Sequence, residues 1–149
     1  MHIRTIAAAA IALLAGSTLA FAVTKDDAVA LVKKTVAAIK ADGPEKIYGA
    51  INTPGSEYQS GELYVVVQGF DGTTIAHATN QKLIGKVMID QQDVDGKFFA
   101  KDMADNGKKG APFWYDFKFV NPATKKIQVK DMYCEPLAQT TVCAGVYRP

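Results

Sequence analysis

Histidine and cysteine are scarce: histidine occurs only at His2 and His77, and cysteine only at Cys134 and Cys143. With a single histidine beyond the amino-terminal segment, neither a Ser-His-Asp triad nor a histidine-paired zinc site can be assembled. A Gly-x-Ser-x-Gly elbow and a glycine-rich phosphate loop are also missing. The expected class is therefore non-enzymatic, with no cofactor. Charge of one sign is lacking too, since 17 Lys and Arg stand against 15 Asp and Glu. That balance offers no electrostatic reason for nucleic acid or an anionic membrane as partner. Asp90, Asp93 and Asp95 are three close carboxylates, but the glutamate that ends a calcium loop is absent, so no metal is expected. The reading for Asp93 or Asp95 is a cap for a helix after Gly96.

No apolar run is long enough to span a bilayer. The longest, Ile6 to Ala15, is roughly half of the about 20 residues a transmembrane helix needs. It follows His2 and Arg4 and precedes Gly16-Ser17-Thr18 and the small-residue tripeptide Ala20-Phe21-Ala22, which is the secretory layout. Residues 1–22 are therefore expected to be a cleaved signal peptide and residues 23–149 one domain, periplasmic or secreted, with no stable membrane insertion after cleavage. Retention of the segment as an amphipathic anchor is the alternative. No second apolar stretch follows Ala22, so output is expected to pass through a separate protein. In an oxidising compartment Cys134 and Cys143 are expected to pair as a disulfide, because a metal would need more ligands than their neighbourhood offers.

What is present reads as helix followed by sheet. Ala28, Val32, Thr35, Val36 and Ile39 recur at three- and four-residue steps, predicting an amphipathic helix over Asp26–Ala41, stopped by Gly43-Pro44. A second short helix is expected from Pro44 to about Asn52. Leu63–Gln68 and Thr74–His77 read as strands around the Asp71-Gly72 turn. Asn80–Asp95 has no clean period and reads as an irregular connection; a third helix is expected from Gly96 to about Ala104. Phe113–Val120 alternates, placing Phe113, Tyr115, Phe117 and Phe119 on one face and Trp114 on the other. Ile127–Cys134 and Thr140–Tyr147 complete about five strands. The expected fold class is α+β, with a long N-terminal helix packed on a central antiparallel sheet.

Several segments together resemble a known family. They are Phe70-Asp71-Gly72, Ala76-His77, Leu83-Ile84-Gly85-Lys86, Asp93 with Gly96-Lys97-Phe98, and Trp114 to Phe117 leading to Asn121-Pro122. Lys130 to Tyr133 and Gly145-Val146-Tyr147 follow. In this order, across nearly all of residues 26–148, they resemble single Cache domains. The resemblance implies a PAS-like extracytoplasmic sensor fold, usually carried by chemoreceptors and sensor kinases, that holds a small ligand on one face of the sheet. Related domains often bind short-chain organic acids. A membrane receptor, kinase or transporter is the expected protein partner. Phe117 stands where the family pattern has a tyrosine, and Tyr115 on the same face is the alternative hydroxyl.

A carboxylate in an apolar pocket needs donors, because burial without them costs several kcal/mol. The candidates are His77, Tyr115, Lys130 and Tyr133, with Phe117 and Trp114 as aromatic lining. Each has a plainer reading. His77 would bond a loop carbonyl, Lys125, Lys126 and Lys130 would form a solvated turn, and Tyr115, Phe117 and Phe119 would be core under the N-terminal helix. Regular strands put Trp114 opposite Tyr115 and Tyr133 opposite Lys130 unless a bulge intervenes. A pocket filled by its own aromatics would leave an interaction scaffold with no small ligand.

Overall fold

The computed structural model describes residues 22–149, so all of the expected signal peptide except Ala22 lies outside the described residues. Helix α1 spans Lys25–Asp42. Its start is fixed reciprocally: the Thr24 side chain accepts from the Asp27 backbone N–H while the Asp27 carboxylate accepts from the Thr24 N–H. The predicted stripe from Ala28 to Ile39 is its buried face. Gly43, with φ 89°, turns the chain, and Pro44 opens α2, Pro44–Ile51.

Six strands follow: β1 Gln59–Ser60, β2 Leu63–Gly69, β3 Thr74–His77, β4 Phe113–Val120, β5 Ile127–Leu137 and β6 Thr140–Tyr147. Every pairing is antiparallel, in the spatial order β2-β6-β5-β4, and β1 and β3 pair successively along the other edge of β2. Between β3 and β4 lie an irregular segment with one short 3-10 turn, Gln81–Leu83, and helix α3, Phe99–Gly107. The architecture is the expected α+β arrangement, with β1 added. No described helix is long and apolar enough to cross a membrane.

The sheet is covered on both faces. Helices α1 and α2 bury Val65, Val67, Val142 and Ala144 on one side. On the other, Phe99 and Met103 of α3 cover Phe117, Met132 and the Cys134–Cys143 disulfide, which bridges directly opposed residues of β5 and β6.

Two expectations change, and one open alternative is settled. The aromatic face of β4 packs under α3 rather than α1: Phe117 pairs with Lys130 and stacks on Phe99 at 4.8 Å. Alternation shows which residues share a face, but not which helix covers it. Helix α3 begins at Phe99 with no side-chain cap, so neither Asp93 nor Asp95 caps it; Asp95 pairs with Lys118. The Asp93 carboxylate instead accepts the backbone N–H groups of Asp95, Lys97 and Lys118, pinning the loop to β4. Finally, β5 pairs on both sides without a bulge, so Lys130 and Tyr133 face opposite ways.

Candidate ligand-binding cavity

Between the sheet and its α3 cover lies a partly open cavity of about 40 Å3. Its floor comes from the strands: Tyr64 and Gln68 of β2, His77 of β3, Phe117 of β4 and Lys130 of β5. Leu83, Met88, Phe99 and Met103 form its roof. Gln68 ties floor to roof by donating to the Ala100 carbonyl at 2.7 Å.

Lys130 dominates the chemistry. It is 1% exposed, and no Asp or Glu among the described residues pairs with it. Its ammonium lies 3.6 Å from the Tyr64 ring centroid and 5.1 Å from that of Tyr147, within cation–π range. Burial pushes its pKa down from the ordinary lysine value. Gly145 makes room for it: a Cβ there would come 3.0 Å from Lys130 Cε and 2.7 Å from Met132 Sδ.

The rings beside the ammonium are held in place. Tyr147 donates its hydroxyl to the Val120 carbonyl at 2.9 Å, so the 3.0 Å contact between the two tyrosine hydroxyls is donated by Tyr64. His77 is buried, and its Nδ1 accepts the Asn80 backbone N–H at 3.1 Å. That assigns the ring proton to Nε2. Burial and the neighbouring Lys130 lower the imidazole pKa to about 3, so the ring is a neutral donor at ordinary pH. The plainer expectation of a bond to a loop carbonyl is replaced by acceptance from loop N–H groups.

Residues 5–147 match the model of the family described as single Cache domain 2. The chain belongs to that family. Among solved structures, the Cache domain resembles a methyl-accepting chemotaxis protein from Vibrio parahaemolyticus with a TM-score of 0.69 and 20% identity, covering 83% of this chain and 87% of the other. A Cache chemosensory domain solved for its carboxylic acid recognition gives a TM-score of 0.64 at 17% identity, covering 83% and 88%. A periplasmic sensor domain of a chemotaxis protein gives 0.65 at 17% identity, covering 83% and 90%. No curated protein matches the chain.

Of the six ligand candidates read from the sequence, this Cache domain brings His77, Phe117 and Lys130 together around the cavity. Tyr115 shares their side of the sheet but donates its hydroxyl to Asp102 on α3 at 2.7 Å, which latches the helix to β4. Trp114 and Tyr133 pack against each other on the α1 side, at 5.3 Å between centroids, with Lys25 over the Trp114 ring. Tyr133 donates to Glu135. Among the residues the sequence reading missed, Gln68 carried a signal: it is a lone polar residue in an apolar strand. Tyr64 carried none, because a strand covered on both faces shows no alternation.

Proposed function

We propose that this Cache domain is an exported sensor module that captures a small monocarboxylate in the cavity beside Lys130. The observation that carries the reading is the buried ammonium, which lines an otherwise largely apolar cavity; among the described residues no carboxylate comes within ion-pair distance of it, and Glu62 acts on it only from farther away. An unpaired buried charge is costly, and a bound carboxylate would supply the missing partner. His77 Nε2–H would donate to the same anion, and Phe117 would cover its alkyl end. The lining contains no Asp or Glu, which disfavours amines and amino acids, whose ammonium would find no partner. A dicarboxylate would leave its second charge in apolar surroundings. One water-sized group needs roughly 10–15 Å3 by the same measure, so the volume of about 40 Å3 favours acids of two to four carbons. The chemosensory Cache domain named above for carboxylic acid recognition supports this choice.

The secretory pattern of residues 1–22 supports export and release of the domain, which would act through a separate membrane receptor, kinase or transporter rather than as an enzyme. A second reading, an interaction scaffold without a ligand, is favoured by the small cavity and by the two tyrosine rings already serving the Lys130 ammonium.

Thermal unfolding with two- to four-carbon acids, dicarboxylates, amino acids and amines separates the two. A ligand at roughly 100 times its Kd stabilises by about 2.7 kcal/mol. A raised midpoint with monocarboxylates alone is the expected result, whereas an unmoved midpoint across the whole panel supports the scaffold.

A further inference from the structure

We propose that ligand reaches the cavity past Phe119, which acts as a movable partition, and that Lys125 steers an anion to that passage. This rests on the carboxylate reading above. A second hollow of about 170 Å3, lined in part by Thr79, Asn80, Pro122 and Lys125, shares Tyr64, His77 and Phe119 with the Lys130 cavity. The two spaces therefore meet at those three side chains.

They are not held equally. Tyr64 is fixed at its hydroxyl by Tyr147 and at its ring by Lys130. His77 is fixed by the Asn80 N–H on Nδ1. Phe119 has no polar atom to tether it, is only half-buried, and meets Phe117 and Phe99 edge-on, at 5.7 and 5.9 Å between centroids. A change of χ1 moves its ring aside without breaking a hydrogen bond. Of the three, it is the side chain free to open.

The outer rim is positioned as firmly as the partition is loose. Asn121 is buried, and its backbone N–H donates to the Lys126 carbonyl while its side-chain amide donates to Glu62 and Gln128. The Lys125 N–H donates back to the Asn121 carbonyl at 2.8 Å, and Lys125 itself sits at φ 61°. The braced turn thus presents an exposed ammonium at the rim of the outer hollow. Glu62 adjoins the same turn, so loss of Lys125 tips the local charge toward negative. A cation at a mouth raises the arrival rate of anions and loses that effect in salt.

NMR exchange measurements of acetate and propionate binding test this on the full domain. In Phe119→Ala, and in the milder Phe119→Leu, association and dissociation rates should rise together severalfold. In Lys125→Gln, association alone should slow severalfold at low salt, with the difference fading as salt is added. If propionate binds the wild type but the Phe119 variants change dissociation only, Phe119 is a wall and the passage is overturned. The passage is also overturned if Lys125→Gln leaves association at low salt untouched. Absence of binding of either acid to the folded wild type overturns the carboxylate reading and the passage with it.

Discussion

Lys130 and Asp131 are consecutive in β5 and opposite in charge, yet the pleat of the strand keeps them from neutralising each other. Lys130 enters the cavity. Asp131 turns to the α1 side, where Arg148 donates to it from Nε at 3.0 Å and Nη2 at 2.5 Å, and Lys25 approaches to 3.3 Å. One strand therefore places an unpaired cation beneath α3 and an over-paired anion beside α1, next to the carboxyl-terminal residues.

The unpaired cation leads to the first prediction. Because burial depresses the Lys130 pKa, holding the side chain charged in the folded protein opposes folding. Lys130→Met keeps the stem and removes the charge, so the ligand-free protein should become more stable by about 1–3 kcal/mol. Urea unfolding of the two proteins measures it. A clear loss of stability would mean that the tyrosine rings already satisfy the ammonium.

Asp131 should behave in the opposite way. Its pKa is lowered chiefly by the hydrogen bonds from Arg148 and then by Lys25, so its contribution is present above the unfolded value near 3.8 and is lost as pH falls below it. Both partners are half exposed, which limits the effect. Asp131→Asn should cost about 1–2 kcal/mol at pH 7, and the cost should shrink progressively as the pH is lowered below 3.8 toward the depressed folded pKa. A cost that stays the same as the pH is lowered would contradict the ion-pair account.

His77 adds a pH dependence in a different window. Its folded pKa of about 3 lies below the unfolded 6.5, so the folded protein resists taking up a proton that the unfolded chain accepts. Stability is complete above pH 6.5 and declines toward pH 3, by at most ~1.4 kcal/mol per pH unit. His77→Asn should flatten the profile between pH 6 and pH 4. If the slope there survives the substitution, another group is responsible.

The Cys134–Cys143 link closes a short loop between paired strands. In the chain-entropy account, losing so short a loop costs about 2–3 kcal/mol. Cys134→Ser with Cys143→Ser should lower the unfolding midpoint accordingly while the far-ultraviolet circular dichroism stays the same. A collapsed spectrum would show that the link determines the fold itself.

Much of the fold was legible because its signals are local. The α1 stripe, the Asp-Gly hairpin and the alternation of β4 each lie within a dozen or so residues and obey a single period. The cavity was only half legible. His77 and Phe117 could be named from their strands and from the family resemblance, but the burial of Lys130 depends on Tyr64, far away in the chain, and on the absence of a side chain at Gly145. Read locally, Lys125, Lys126 and Lys130 look like one solvated turn. The cross-strand partners Phe117 and Tyr147 separate Lys130 from the other two. Tyr115 could not be assigned from alternation alone, since its fate depends on Asp102 arriving from α3.

The most direct test of the account is calorimetric titration of acetate, propionate and butyrate into the wild type and Lys130→Met side by side. Saturable one-to-one binding of at least one acid by the wild type, and none by the folded variant, is the expected result. Equal binding by both proteins, or none by a folded wild type, would contradict it.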